Sequence, residues 1–345
     1  MEEMNRKVKI EERVFHFKQP AGTSRGVYTE RRSWIVELTE NGRTGRGECA
    51  PLPDLSCDAQ PDYAKRLQSF CDEWAATGKV NVASMRDYPS MLFGIETALL
   101  NLHNGELLFD TPFTNGQAGI TINGLVWMGS YEEMLQRMEQ KLEQGYHCVK
   151  LKIGAIDFDR ELDLVRRIRQ RFSHHEVELR LDANGAFPYE EALYKLELLS
   201  QYAVHSIEQP IRQGQWGFMA QLCRESPLPI ALDEELIGVN DPDLKSHMLG
   251  IVKPAYIVLK PSLHGGMAGC REWIDAARKN DVGWWMTSAL ESNIGLNAIA
   301  QFCSSLLAEE PCTPMAQGLG TGQLFTDNIP MPLEIRGDKL WRIKE

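Results

Sequence analysis

Five polar residues recur through the second half of this chain, each closing a short apolar run. They are Lys152 in VKLKIG, Asp182 in ELRLDAN, Glu208 in HSIEQP, Asp233 in PIALDEE and Lys260 in YIVLKP, spaced roughly 25–30 residues apart. Between the runs lie segments with helical periodicity, such as DFDRELDLVRRIRQRF and PYEEALYKLELLSQY. One interval is the length of a strand–loop–helix unit. Repeated units of this kind predict a parallel sheet. Seven or eight in series, from TINGLVWM through GWWMTSALE and IGLNAIAQFCSSL, predict a closed barrel rather than an open sheet.

The first 118 residues have another texture. RRSWIVELT reads as a strand, and Asn41-Gly42 in TENGRTGRGE supplies a hairpin turn. KQPAGTSRGVYTERR, residues 18–32, reads as a loop on an antiparallel sheet, while PDYAKRLQSFCDEWAAT and PSMLFGIETALLNLHNG read as helices. The expected division is an α+β domain over 1–118, a barrel over 119–316 and a C-terminal segment over 317–345 that runs back across the first domain.

Charge and cysteine usage narrow the function. A formal net charge of −11 argues against a nucleic-acid surface, which wants a basic field. It leaves room for an anionic small substrate, because a local lysine pair can dominate a cleft. The charged start MEEMNRKVKIEER has no apolar leader region, and no apolar run is long enough to cross a bilayer, so a soluble cytoplasmic protein is expected. The eight cysteines are scattered without CxxC or zinc spacing and read as small buried hydrophobes in a reducing compartment.

In a barrel the C-terminal rim of the strands is where active sites form. Side chains alternate along a strand, so Lys150 and Lys152 share one face and Leu151 and Ile153 the other. The lysine face should look into the barrel. By the same count Arg180 shares a face with Asp182. Asp182, Glu208 and Asp233, from consecutive strands, should converge at the rim. Three such acids repel one another and gain protons unless a cation compensates. Hard oxygen ligands on separate strand ends suit Mg²⁺, with Mn²⁺ able to substitute; no histidine or cysteine shares the beat, which argues against zinc.

Lys152 and Lys260 should then flank the metal from opposite sides. A lysine beside a divalent cation and a second ammonium has its pKa pushed down and serves as a general base near neutrality. The implied chemistry is removal of a proton α to a carboxylate, with the metal stabilising an enediolate. Other residues carry weaker signals. Lys150 is either a further catalytic-site cation or a partner for a nearby acid. Asn184 either supports the metal or merely begins the loop. Glu234 faces away under strict alternation, unless the strand has already ended. Ser288 and Glu291 are rim candidates on the substrate side, as are Ser262 and Gly265 in LKPSLHGG, where Gly265-Gly266 offers backbone N–H groups to an anion. His264 reads as a loop histidine rather than a ligand. Any one acid at a strand end is ordinarily a cap or a solvated residue, but five polar residues in phase are not.

Lys150-x-Lys152, Asp182-x-Asn184, Glu208-Gln209-Pro210, Asp233-Glu234 and Lys260-Pro261 together resemble the enolase superfamily, in its muconate-lactonizing-enzyme-like subgroup. GRGECAPLP, PSMLFGIETAL and LKPSLHGG bring the resemblance closest to the o-succinylbenzoate synthases of menaquinone biosynthesis. The resemblance implies an α/β fold, a modified TIM barrel of (β/α)7β form with an N-terminal α+β capping domain. It implies dehydration of 2-succinyl-6-hydroxy-2,4-cyclohexadiene-1-carboxylate, with Lys152 as the base, Lys260 stabilising the enediolate, and Asp182, Glu208 and Asp233 on the metal. A loop of the cap closes over the site in this subgroup, and Ala21–Thr29 is the matching stretch. Arg25, Arg31 and Arg32 either steer the succinyl carboxylate or are simple solvated arginines. Relatives with the same two lysines racemise N-succinylamino acids or epimerise dipeptides, so the lysines alone do not separate these reactions. The epimerases carry an Asp-x-Asp at the last barrel strand, whereas PCTPMAQG at 311–318 has no acid. The expected partner is a small carboxylate, with no nucleic acid and no membrane; the oligomeric state, monomer or homodimer, stays open.

Overall fold

The computed structural model describes residues 5–23, 26–309 and 315–344. The chain opens with a three-stranded antiparallel sheet, β1 (Arg6–Thr23), β2 (Gly26–Glu40) and β3 (Arg43–Cys49). Asn41 (φ 50°) and Gly42 (φ 80°) make the two-residue turn between β2 and β3, the left-handed pair that matches strand twist. Residues 18–32 are not a loop. β1 and β2 stay paired to Thr23 and Gly26, and a register shift between His16 and Ala21 absorbs Pro20. The polar, glycine-bearing texture there belongs to a long two-stranded arm with few core-facing positions.

Two helices cover this sheet, α1 (Tyr63–Thr77) and α2 (Pro89–Asn104). α2 lies almost directly on β3. A Cβ at Gly47 would come within 1.9 Å of Gly94 O, and one at Gly45 within 2.0 Å of Ala98 O, so both positions demand glycine. The cap has its own core of Val36, Leu38, Leu67, Trp74, Met91 and Ile95.

The rest is a seven-stranded parallel sheet that curls on itself. Its strands are β5 (Gly124–Val126), β6 (Cys148–Lys152), β7 (Glu178–Asp182), β8 (Ser206–Glu208), β9 (Ile230–Leu232), β10 (Tyr256–Leu259) and β11 (Gly283–Met286), in that spatial order. Seven helices alternate with them: α3 (Tyr131–Glu143), α4 (Phe158–Arg171), α5 (Tyr189–Ser200), α6 (Trp216–Glu225), α7 (Pro242–Val252), α8 (Gly266–Lys279) and α9 (Asn293–Glu309). Gln317 bridges to Ile122 and Gly318 to Thr287, both in parallel, which joins the two edges of the curled sheet. Ser130 caps α3 with a reciprocal Glu133 bond, and Asp157 and Asp241 cap α4 and α7. Leu151, Ile153, Leu181, Ala183 and Ile207 point to the helix layer and are fully buried.

The C-terminal segment returns along the cap. Lys18 N donates to Leu324 O at 2.8 Å and Thr326 N to His16 O at 2.9 Å. It ends in a hairpin, β12 (Leu333–Arg336) and β13 (Lys339–Arg342), which pairs with the short β4 (Ile120–Thr121). Cap and barrel are fastened by carboxylates at helix starts. Glu48 accepts from Ser292 Oγ at 2.5 Å and from Gly295 N at 2.9 Å at the start of α9. Glu96 accepts from Met267 N at 2.6 Å and Ala268 N at 3.0 Å at the start of α8. No helix among the described residues is long and apolar enough to cross a membrane.

Candidate active site

Strand register sets the height of each polar side chain. Lys152 pairs with Asp182, and Asp182 with Glu208, so these three lie level. Glu208 pairs with Ala231, which places Asp233 two residues further on the same face. Leu232 pairs with Ile257, so Lys260 lies higher again. The stagger follows from strand tilt in a curled sheet. The result is an arc of charge around the mouth, above a floor where Arg180 lies over the Trp285 ring at 4.3 Å.

The charges pair closely. Lys150 Nζ stands 2.9 Å from Asp182 Oδ2 and 2.6 Å from Glu208 Oε2. Lys260 pairs with Asp233. Lys152 Nζ is 3.6 Å from Asp182 and donates to Asn184 Oδ1 at 2.9 Å, while Asn184 Nδ2 donates to Glu234 Oε1 at 3.0 Å. Asn184 reaches both because its backbone is left-handed (φ 44°). Glu234 turns inward because the strand ends at Leu232 and a short helical turn, Glu234–Leu236, follows.

Burial disfavours charge at Lys150, Asp182, Glu208, Asp233, Glu234 and Lys260, and neighbours decide the outcome. At Asp182 the adjacent Lys150 and Lys152 outweigh burial and hold the carboxyl below its usual range. Lys260 does the same for Asp233. Glu208 goes the other way: burial, reinforced by Asp182, raises it well above the carboxylate range. Glu234 is pushed up to about 7 by burial and by Asp233. Burial lowers Lys150 and Lys260, but the acids outweigh it and hold both above the usual lysine range.

The donor set fits a hard divalent cation. Three carboxylates from adjacent strands share the mouth. Among the described residues, Glu208 Oε1 and Asp233 Oδ1 are buried without a hydrogen-bond donor, a costly state for such oxygens. The described His, Cys, Asp and Glu side chains do not already form a cluster that could hold a metal ion; the Lys150 and Lys260 ammonium groups stand against the acids instead.

The arc faces a cavity of about 620 Å³ whose lining includes Lys150, Lys152, Asp182, Asn184, Asp233, Glu234 and Lys260. Leu52 and Leu55 of the cap, Trp127 after β5, and Ala289 and Leu290 after β11 form its apolar part. A charged arc under an apolar roof suits a ring-bearing carboxylate.

The comparisons with known proteins agree with this geometry. The family described as "Enolase C-terminal domain-like" matches residues 133–337, and "MenC, N-terminal domain" matches 21–102. The o-succinylbenzoate synthase of Desulfotalea psychrophila is 44% identical, over 94% of this chain and 95% of its own length. This chain belongs to the o-succinylbenzoate synthase family of the enolase superfamily. That of Vibrio cholerae is 30% identical over 88% of this chain and 86% of its own. The crystal structure of MenC from D. psychrophila superposes with a TM-score of 0.83 at 39% identity, covering 98% of this chain and 99% of that one. The L-Ala-D/L-Glu epimerase of Bacillus subtilis shares the fold, with a TM-score of 0.79 at 19% identity over 98% and 96% of the two chains.

Within this o-succinylbenzoate synthase family member, some expected residues do not reach the cavity. Ser262 is buried and donates to Glu291 Oε1 at 2.5 Å. Glu291 also accepts from Ala289 N at 2.7 Å, so it braces the wall from behind. Gly265 opens α8 at φ 92°, away from the mouth, and the N–H groups of Met267 and Ala268 that follow are taken by the chain's own Glu96. Ser288 does line the cavity and bonds to Thr321 Oγ1 at 2.6 Å. Arg32 is an exposed residue near Glu12, whereas Arg31 is neither solvated nor aimed at the cavity but buried among main-chain carbonyls. Arg25, part of the expected cap loop, and 311–314 lie outside the described residues.

Four residues of this site carry roles that the sequence did not disclose. Trp127 places its ring 5.5 Å from Lys152 Nζ. His264 Nδ1 accepts from Lys260 N at 2.9 Å, and burial lowers its pKa to about 3, which keeps the ring neutral. Gln209 Oε1 accepts from Asp233 N and Glu235 N, both at 3.2 Å, fixing the end of β9. Glu161 gathers the N–H groups of Gly154, Ala155 and Ile156, which fixes the turn after Lys152. The one available signal was the turn-forming glycine in KIG.

Proposed function

We propose that this protein is the o-succinylbenzoate synthase of menaquinone biosynthesis, converting 2-succinyl-6-hydroxy-2,4-cyclohexadiene-1-carboxylate to 2-succinylbenzoate by syn elimination of water. The carrying observation is that Lys152 and Lys260 enter one cavity from strands on either side of those bearing Asp182, Glu208 and Asp233.

Lys152 is the base. It removes the proton α to the carboxylate and, once protonated, delivers that proton to the departing hydroxyl. One residue serves both steps because both groups leave from one face. The product ring is aromatic, so expulsion of water is strongly downhill and the chain's task is to form the carbanion. Asn184 holds Lys152 Nζ in place, and the Trp127 ring lies beside it. Lys260, fixed through its own backbone by His264, sets a positive charge against the enediolate. Lys150 balances Asp182 and Glu208. Asp182, Glu208 and Asp233 would hold Mg²⁺, with Mn²⁺ able to replace it, and the bound ion supplies positive charge to the developing enediolate oxygens. The free cysteines, five of them buried among the described residues, fit a cytoplasmic location.

The test is conversion of fresh cyclohexadiene acid in the presence of Mg²⁺, followed by the rise of aromatic absorbance. No conversion would reject the assignment. Racemisation of an N-succinylamino acid, measured in parallel, tests the alternative use of two opposed lysines; if it greatly exceeds dehydration, racemisation is the principal reaction.

A further inference from the structure

Two facing walls of the cavity come from different domains. Leu52 stands on the cap's loop after β3, and Ala289 and Leu290 on the barrel's loop after β11. Their side chains pack together with Ala21 and Leu263. Neither wall belongs to a helix or strand, so no ladder of main-chain bonds fixes their separation.

Arg31 lies behind both, 1% exposed. Its guanidinium donates to Ala50 O at 2.6 Å and to Pro51 O on the cap, and to Leu290 O at 3.2 Å and Ala289 O at 3.4 Å on the barrel. Among the described residues no carboxylate lies within ion-pair distance of it. Glu291 and Glu48 offset its charge from further away. A planar fork of donors spent on four carbonyls of two loops defines a relative position rather than an affinity for anions. Leu290 adds a second observation. Its φ of 63° is left-handed, a conformation that a leucine keeps only where its surroundings over-determine it. Arg31 holds its carbonyl, and Glu291 holds the preceding N–H.

We propose that Arg31 is a positioning residue that sets the width of the substrate cavity, clamping the Ala50–Leu52 wall of the cap to the Ala289–Leu290 wall of the barrel. The inference rests on reading this cavity as the site of a ring-bearing carboxylate. The leucine walls are the apolar part of a cavity whose charged part stands on separate strands. Their spacing selects the ring and side chain that fit, while Lys152, Lys260 and the three acids keep their places without Arg31.

Arg31→Met and Arg31→Lys test the clamp by two readouts. Amide hydrogen exchange, on protein without substrate, should quicken in the segments 49–56 and 287–292 and stay unchanged in β6–β10. In the synthase assay KM should rise about tenfold while kcat stays within about threefold. Arg31→Lys, which keeps the charge but cannot span four carbonyls, should fall between wild type and Arg31→Met. The proposal is overturned if both segments exchange as in wild type. It is equally overturned if kcat falls at constant KM, or if both variants lose protection throughout the chain. An inactive wild-type protein would reject the assigned reaction and leave the exchange data to decide the clamp.

Discussion

The Lys152 ammonium donates to Asn184 Oδ1 at 2.9 Å, and Asn184 passes the contact on to Glu234 at 3.0 Å. One amide therefore fixes the proposed base from the neighbouring strand end. Lys152→Ala should lower kcat by roughly 10³-fold or more, and Asn184→Ala, which frees the ammonium without removing it, by about 10–100-fold. Single-turnover formation of the aromatic product measures both. Near-normal turnover in Lys152→Ala would mean that the base is misassigned.

Removing divalent metal should stop turnover, and Mg²⁺ should restore it. Binding should also stabilise the fold, because a divalent charge offsets the burial and the Asp182 repulsion that raise Glu208. At a hundredfold excess over Kd the gain is about 2.7 kcal/mol. Unfolding midpoints with and without Mg²⁺ measure it. Asp233→Asn, with one ligand weakened, should shift far less; an equal shift would place the ion elsewhere.

Glu96 makes the cap–barrel contact sensitive to pH. Burial raises its carboxyl to about 7, against the Met267 and Ala268 N–H bonds that lower it. The folded state thus binds the proton more tightly than the unfolded chain, whose value is near 4.5. Its contribution is fully present below pH 4.5 and is lost as pH rises through about 7. Glu96→Gln, scanned by thermal unfolding between pH 5 and 8, should show a shallower decline than wild type, on a lower starting stability. Parallel curves would assign the decline to other groups.

Lys245, with its side chain 1% exposed, donates to Glu272 Oε2 at 2.7 Å, and Arg86 of the cap meets the same carboxylate at 2.8 Å. Removing only the acid strands a buried cation. Glu272→Ala should therefore cost roughly 3–5 kcal/mol, whereas Lys245→Met should cost much less. Urea unfolding of the two variants gives the comparison, and equal losses would refute the asymmetry.

The contact between β3 and α2 tolerates no side chain at Gly47, where a Cβ would lie 1.9 Å from Gly94 O. Gly47→Ala should cost at least about 1–3 kcal/mol, the usual range for overpacking, or prevent folding. Gly22→Ala, where nothing lies within 4 Å, serves as the control in the same unfolding measurement.

The sequence by itself determined the barrel and the arc. Period-two alternation placed Lys150, Lys152 and Asp182 on one face, and the regular interval placed Glu208, Asp233 and Lys260 at successive strand ends. Both are local properties of the chain, and the register confirms the common height of Lys152, Asp182 and Glu208. Local pattern failed where a side chain's partner lies far along the chain. Arg31 reads as one more polar residue in an arginine-rich stretch, yet it is buried because Ala289 and Leu290, more than 250 residues away, bring their carbonyls to it. Glu291 has the spacing of a rim residue, but Ser262 and Ala289 N turn it away from the cavity. Glu234 points inward only because β9 ends one residue before Asp233. Tertiary structure decided these, because a buried charge goes where its hydrogen bonds can be satisfied, and those partners are assembled only when the cap has docked on the barrel.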